Sequence, residues 1–224
     1  MLTKTSLLVA WTLLPCAAMW VGLYELKNAA WTYALYHGIC LIPAIILGQS
    51  LWRPTLKLPS LRDFALIAIG SVSFTIGTVL LYEWLGKLVL SNHQVLSLLQ
   101  EQGLKQNVLW AFGLYAITIN PLLEEIFWRG IVFNELERSV PIKHFGLLWS
   151  SAAYALFHYF IFRMVLFPGW AELGTVLLAI YGALLALLYR KSGSILTAAL
   201  AHALFTDMAV VALTFYVARS YPIL

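Results

Sequence analysis

Residues 120–130 read NPLLEEIFWRG, and this stretch decides how the rest of the chain is interpreted. Two adjacent carboxyl groups, those of Glu124 and Glu125, and the guanidinium group of Arg129 lie in a run that is otherwise apolar enough for a bilayer interior. A charged side chain at that depth is costly, so intramembrane residues of this kind have partners or a chemical role. We therefore expect these three residues to form part of a functional site or a structural ion cluster.

The spacing of the three charged residues indicates how they divide these roles. On a helix, Glu125 and Arg129 stand four residues apart with the acid first, a spacing that lets their side chains meet. Glu124 is rotated by about 100° from Glu125 and has no partner in its own segment. We expect Arg129 to hold Glu125, while Glu124 is free to accept a proton. The alternative is an ion cluster that only holds helices together.

The composition of the whole chain is that of a membrane protein. Of the 224 residues, 62% are hydrophobic and 11% are charged, and the mean hydropathy is +0.84. An ordinary globular domain has about 25% charged residues. The net charge of +4 is expected to act on topology and on anionic lipid, and nothing resembles a nucleic-acid-binding module. The sequence predicts an all-α, polytopic transmembrane helical bundle that forms one integral membrane domain over residues 1–224.

Seven apolar segments are expected to form the membrane helices, and the fourth has an unusual length. At 1.5 Å per residue, residues 107–137 would extend about 45 Å, whereas the hydrocarbon core is about 30 Å thick. Pro121 lacks a backbone N–H and is expected to break this segment just before the two glutamates. The prediction is therefore seven to eight membrane helices with a Pro-broken fourth segment. The seven segments are approximately residues 6–24, 29–52, 61–87, 107–137, 145–167, 171–189 and 194–218.

The loops predict two helix starts and an orientation. Ser60 is expected to cap the third membrane helix, and Ser91 or Asn92 a short interfacial helix over residues 91–102. With a cytosolic N-terminus, eight Lys and Arg side chains lie on the inner side and five lie outside or near the outer ends. This excess favours a multi-pass protein whose N-terminus is cytosolic.

Two later helices carry further polar motifs. Tyr154 and His158 share a face of the fifth membrane helix, and His202 and Thr206 share a face of the seventh. Measured from the presumed cytosolic ends, Glu124, His158 and His202 lie about 21, 20 and 17 Å deep. Three separate helices would thus bring a carboxyl group and two imidazoles to a similar level. Such a set indicates either a hydrolytic site or a proton or ion pathway.

Each of these two interpretations implies a different mechanism for the same residues. For hydrolysis, Glu124 and His158 could hold and deprotonate a water while His202 donates to the oxyanion. As a proton relay, the same groups would serve a proton-coupled transporter, although no recognisable internal repeat supports one. A third alternative is a non-catalytic interaction or immunity protein on the same scaffold. His37, in the second helix, has no polar partner at helical spacing and is expected to be structural.

Together, the three motifs resemble those of a known family. The motif EExxxR begins at Glu124, YxxxH ends at His158 and HxxxT begins at His202. In this order they resemble the motifs of the CPBP family, the CAAX-protease and bacteriocin-processing intramembrane proteases, over residues 107–214. The resemblance implies a helical intramembrane protease in which Glu124 and His158 activate water. It also implies that His202 and an asparagine four positions later support the oxyanion.

The chain departs from the family pattern at two positions. Thr206 stands where the family has the asparagine, and Asp207 follows it; Tyr154 stands where the family usually has phenylalanine. A hydroxyl is shorter than an amide, so whether Thr206 or Asp207 takes over the asparagine's role is left open. With Glu125 and Arg129, these three residues form the expected supporting set.

The resemblance also bears on cofactors and partners. A glutamic-type mechanism that requires no cofactor is favoured, yet Glu124, His158 and His202 are possible ligands of a divalent metal such as zinc. The expected partners are a peptide or membrane-anchored protein substrate and the lipid bilayer, without nucleic acid. The substrate could be a prenylated tail, a leader peptide or a sorted precursor.

Overall fold

The computed structural model describes residues 4–219, except for the side chains of Gln106 and Asn107, so both ends of the predicted domain 1–224 lie outside the described residues. Within this range the chain is helical and forms no strand, which confirms the all-α class. We number eight helices in chain order, and helix α5 comprises residues 106–139. The others are α1 Lys4–Glu25, α2 Ala29–Leu47, α3 Leu61–Val89, α4 Asn92–Glu101, α6 Phe145–Val165, α7 Trp170–Ser192 and α8 Ile195–Arg219.

Six of these helices, α1, α2, α3, α6, α7 and α8, are long and apolar enough to cross a membrane. They confirm an integral, multi-pass membrane protein. Helix α5 is not among them, so the predicted count of seven to eight is not confirmed. Helix α3 exposes large apolar side chains such as Ile69 and Trp84, as expected of a helix that faces lipid.

Helix α5 continues through Pro121 without interruption, so the predicted break is not found. A proline removes only one helical hydrogen bond, and membrane bundles accommodate this loss through neighbouring groups. The departure from α geometry comes later instead. Gln106–Glu125 is α-helical, Ile126–Phe133 is π-helical and Asn134–Ser139 is α-helical again. Arg129 therefore lies in a turn with i→i+5 hydrogen bonds.

The predicted helix starts are present at α3 and α4. The Ser60 hydroxyl accepts a hydrogen bond from the backbone N–H of Asp63, at 3.0 Å, and caps α3. Of the two candidates for α4, Ser91 is the cap, because its hydroxyl accepts from the backbone N–H of Gln94. Such caps satisfy backbone donors that have no partner within the helix.

Buried aromatic side chains surround the centre of α5 and fix its position against α2 and α6. Trp128 and Phe157 stack with ring centroids 6.0 Å apart. The indole N–H of Trp128 donates to the hydroxyl of Tyr36, at 3.4 Å. Tyr154 packs edge-on against Trp128. These contacts place the polar residues of α2, α5 and α6 next to one another inside the bundle.

Candidate active site

The predicted ion pair between Glu125 and Arg129 is present and fully buried. The Arg129 Nη1 atom lies 2.8 Å from Glu125 Oε1, and both side chains are at most 1% exposed. Nη2 of Arg129 donates to the backbone carbonyl of Gly182 on α7, at 3.0 Å. The guanidinium carbon also lies 4.8 Å from the centre of the Tyr154 ring. Arg129 therefore joins α5 to α6 and α7 through one buried charge.

Glu124 points to a different side of α5, as its rotation from Glu125 predicts. Its carboxyl group is buried, and Oε1 accepts a hydrogen bond from the Tyr36 hydroxyl of α2, at 3.0 Å. The second oxygen, Oε2, has no hydrogen-bond partner within the described part of the chain. Tyr36 thus fixes one oxygen of the carboxylate, and the other lies buried 3.7 Å from His202 Nε2.

His202 connects the two glutamates from α8. Its Nδ1 donates to Glu125 Oε1, at 2.9 Å. Its Nε2 lies 3.1 Å from the Tyr154 hydroxyl, 3.5 Å from Asp207 Oδ1 and 3.7 Å from Glu124 Oε2. Three carboxyl groups thus surround one buried imidazole, with Arg129 as the neighbouring cation.

Of the two residues that could replace the family's asparagine, Asp207 approaches His202 with its side chain. The Thr206 hydroxyl donates its hydrogen to the backbone carbonyl of His202, at 2.9 Å, and so does not donate it to another group. The segment Ala203–Asp207 is π-helical, so the residue five positions after His202 returns to its face. One oxygen of Asp207, Oδ2, is buried without a hydrogen-bond partner among the described residues.

His158, on α6, has a defined tautomer. Its Nδ1 lies 2.8 Å from the backbone carbonyl of Tyr154, and because a carbonyl only accepts, Nδ1 must carry the hydrogen. Nε2 is then the unprotonated nitrogen of the neutral ring, able to accept a proton. The ring packs against Phe157, with centroids 4.1 Å apart. This packing holds the imidazole in one orientation.

Glu124, His158 and Asp207 line one cavity of about 310 Å³ between the helices. Asn120 also contributes to its wall, whereas His202 is not among the described residues that line it. His202 therefore lies behind Glu124 and Asp207 as seen from the cavity. The remaining wall is mostly apolar and includes Leu23, Leu98, Leu109, Phe112, Ile161 and Phe215.

Two polar residues next to this cavity, His37 and Asn120, were not predicted to belong to the site. His37 Nε2 lies 3.1 Å from Asn120 Oδ1, and His37 Nδ1 lies 2.5 Å from the Tyr115 hydroxyl. His37 was expected to be structural because its own helix offers no polar partner at helical spacing. Both partners belong to α5, so spacing within α2 could not reveal them. The available signal was the polarity of the residues themselves, since intramembrane polar groups are functional candidates.

The geometry also bears on the metal alternative. Within residues 4–219, no three His, Cys, Asp or Glu side chains are arranged to hold a metal ion. Glu124, His158 and His202 therefore do not meet as one set of metal ligands among the described residues.

Comparison with known proteins agrees with the motifs. A family model described as type II CAAX prenyl endopeptidase Rce1-like matches residues 106–207, slightly less than half of the chain. The matched range contains the three motifs, and it confirms the resemblance to the CAAX-protease family. No curated protein and no solved structure was found to match the chain. The match indicates an intramembrane endopeptidase acting on a membrane-associated protein or peptide, and it does not favour the transporter or interaction-protein alternatives.

Proposed function

With its motif-bearing half matched to an endopeptidase family, we propose that this chain is an intramembrane endopeptidase in which Glu124 and His158 activate the water that hydrolyses the peptide bond. One observation carries the proposal. Both residues line the same cavity, and each has an acceptor atom, Oε2 of Glu124 and Nε2 of His158, without a hydrogen-bond partner in the described residues. A carboxyl group and a neutral imidazole in the wall of one cavity can hold and deprotonate a water between them.

The proposed reaction balances with these two groups alone. Glu124 removes a proton from the water while the water oxygen bonds to the scissile carbonyl carbon, and this step gives a tetrahedral oxyanion. When this intermediate collapses, the carbon–nitrogen bond breaks and the amide nitrogen takes the proton from Glu124. The products are a carboxylic acid and an amine. His158 accepts a hydrogen bond from the water through Nε2 and fixes the direction of attack.

His202 and its partners support Glu124 in this proposal. Its Nε2 is within 3.7 Å of Glu124 Oε2 and its Nδ1 within 2.9 Å of Glu125. A positive charge on His202 stabilises the carboxylate form of both glutamates, and Arg129 adds to the effect at Glu125. The predicted donation from His202 to the oxyanion would require the substrate to reach past Glu124 and Asp207. We therefore propose that His202 acts mainly through its contacts with the two glutamates and not as the oxyanion donor.

The cavity wall favours an apolar or lipid-bearing substrate segment. Apolar side chains from α1, α4, α5, α6 and α8 form most of this wall, so burying an apolar group there removes its surface from water. We propose a membrane-anchored or lipid-modified substrate, in accordance with the family description, which names a prenyl endopeptidase. The cytosolic N-terminus remains the orientation that we expect from the distribution of Lys and Arg.

The test uses the purified full-length chain in proteoliposomes. The substrate is a quenched-fluorescent peptide that ends in a prenylated Cys-a-a-X sequence, and the same peptide without the prenyl group is measured in parallel. Glu124→Gln and His158→Ala should each lower kcat by about 10²–10⁴-fold, because the first removes the proton acceptor and the second removes the group that orients the water.

Matched controls separate this effect from general damage. Glu101→Gln and His93→Ala change the same residue types at exposed positions, and kcat should stay within about twofold of the wild type. All variants are compared for monodispersity and thermal stability. Full activity in Glu124→Ala would exclude the mechanism, and Glu124-dependent proton-coupled uptake by the same vesicles would favour a transporter.

A further inference from the structure

Hydrolysis in an apolar cavity requires donors for the oxygen that becomes negatively charged. Preorganised N–H or O–H groups supply this stabilisation, and each is usually worth a large factor in rate. Most donors near this cavity are already used. The Tyr36 hydroxyl donates to Glu124, Nδ1–H of His158 donates to a backbone carbonyl, and the Thr206 hydroxyl donates to the His202 carbonyl. The position of the family's asparagine therefore supplies no free donor here.

Asn120 has a free donor at the same cavity. It lies one helical turn before Glu124 on α5, lines the cavity and is 7% exposed. Its side-chain oxygen, Oδ1, is bonded to His37 Nε2 at 3.1 Å. Its amide nitrogen has no hydrogen bond to another group within the described part of the chain. One end of the amide is thus anchored, and the two hydrogens on the other end are available.

The direction of this amide is set by His37 and Tyr115. Asn120 Oδ1 can only accept, so His37 Nε2, 3.1 Å away, carries the ring hydrogen and donates to it; Nδ1 of the neutral ring then accepts from the Tyr115 hydroxyl, 2.5 Å away. The His37 ring is itself held by Tyr33 and Tyr36, whose ring centres lie 5.1 and 5.0 Å away. A chain of two hydrogen bonds from Tyr115 thus holds the oxygen end of the Asn120 amide.

We propose that Asn120 is a catalytic residue, whose amide N–H group donates to the scissile carbonyl oxygen as it becomes the oxyanion. His37 and Tyr115 are positioning residues that act through Asn120. This inference rests on the proposed function and adds a residue outside the three motifs. In this chain the Asn120 amide would supply the oxyanion donor that the resemblance assigns to an asparagine four positions after His202. The donor would then come from α5 and not from α8.

Tyr33 is the competing donor. Its ring lines the same cavity, and its hydroxyl has no hydrogen-bond partner among the described residues. A tyrosine hydroxyl without a partner can rotate, whereas the Asn120 amide is held from behind by His37. Because oxyanion stabilisation depends on donors that are oriented beforehand, Asn120 is the better placed of the two.

The kinetic test compares Asn120→Ala with Tyr33→Phe and with Thr118→Val as a control. Thr118 is an exposed polar residue on the same helix, and its hydroxyl donates to the backbone carbonyl of Leu114. Asn120→Ala should lower kcat by about 10²–10³-fold with KM little changed, as expected for loss of one oxyanion donor. Tyr33→Phe should cost less than about tenfold, and Thr118→Val less than about twofold.

A second measurement guards against a variant that is merely misfolded. A trifluoromethyl ketone analogue of the substrate peptide forms a tetrahedral adduct, and Asn120→Ala should weaken its binding by a factor similar to the loss in kcat/KM. Binding of the cleaved product peptide should be unchanged. If Asn120→Ala does not fold, Asn120→Asp replaces it, since aspartate keeps the acceptor for His37 but lacks the amide hydrogens.

A double substitution tests the positioning role. His37→Ala alone should lower kcat by about tenfold, and adding it to Asn120→Ala should cause no further loss, because His37 acts only through that amide. Losses that multiply in the double variant would show that His37 has merely a structural role.

The failures of the two proposals are distinguishable. Activity that is lost in Glu124→Gln but kept within about threefold in Asn120→Ala, or lost more in Tyr33→Phe, would refute the oxyanion assignment alone. A wild-type chain that cleaves neither the prenylated nor the unmodified peptide would overturn both proposals. Loss in Asn120→Ala, together with weaker ketone binding and unchanged product binding, would support the assignment.

Discussion

Replacing Arg129 by methionine is the most direct test of how the site is held together. Methionine keeps an unbranched apolar side chain but removes the charge. The substitution deletes the 2.8 Å contact with Glu125, the 3.0 Å hydrogen bond to the Gly182 carbonyl and the contact with the Tyr154 ring. It leaves Glu125, which is fully buried, with His202 as its remaining partner.

The expected loss follows from the burial of the pair. Removing one partner of a buried ion pair costs about 3–5 kcal/mol, because the other charge stays desolvated. Individual contributions agree in order of magnitude, since a hydrogen bond to a charged group contributes about 1.5–3 kcal/mol and a desolvated cation–π contact about 2 kcal/mol. These contributions share one side chain and are not additive, so the free energy of unfolding should fall by about 3–5 kcal/mol.

The measurement is reversible unfolding in mixed detergent micelles. Arg138→Met is the matched control, because Arg138 forms an exposed pair with Glu135 and its loss should cost at most about 1 kcal/mol. Combining Arg129→Met with Glu125→Leu should destabilise the protein by less than the sum of the single changes, since the uncompensated carboxylate is then gone. A loss in Arg129→Met no larger than that of the control would refute the reasoning that this pair is buried and coupled.

Three further predictions concern catalysis, each measured with the peptide assay in proteoliposomes. Tyr36→Phe should lower kcat by about tenfold with little change in KM, because it removes the hydroxyl that orients Glu124 Oε1; an unchanged kcat would count against that role. Asp207→Asn should lower kcat more than Thr206→Val, since Asp207 lines the cavity and Thr206 does not, and the reverse order would contradict the assigned geometry. Incubation with EDTA or 1,10-phenanthroline should leave kcat within about twofold, and an activity that is lost and then restored by zinc would instead establish a metal site.

Local pattern predicted most of the fold. Apolar segments located the six long helices that could span a membrane within the described residues, and the cap at Ser60 and the choice between Ser91 and Asn92 at α4 followed from side-chain chemistry close to each helix start. Pro121 was misjudged for a physical reason. The sequence shows that a backbone donor is missing, but not that the surrounding bundle tolerates the loss within a continuous helix.

Contacts within one helix were also predictable at the site, and depth indicated that Glu124, His158 and His202 lie at one level, whereas the contacts made by α2 were not predictable. The Glu125–Arg129 pair follows from its spacing of four residues. The bond from Tyr36 to Glu124 joins residues 88 positions apart, and that from His37 to Asn120 joins residues 83 apart. Neither contact produces a periodic pattern in the sequence, because the packing of α2 against α5 depends on the aromatic core between them.

The π-helical hydrogen bonding within α8 explains why the side chain of Asp207, and not that of Thr206, approaches His202. Motif spacing converts sequence to helix faces by assuming about 100° per residue, which puts the residue four after His202 on its face. In the π-helical segment Ala203–Asp207 the fifth residue takes that place, so a carboxyl group approaches His202 where a hydroxyl was expected. Three of the four π-helical segments within residues 4–219 carry site residues, including Tyr36–Leu41 and Ile126–Phe133. The wider turn at α8 therefore brings Asp207 to His202, while the amide that the family's asparagine would supply is absent from the sequence at that position and Asn120 offers another.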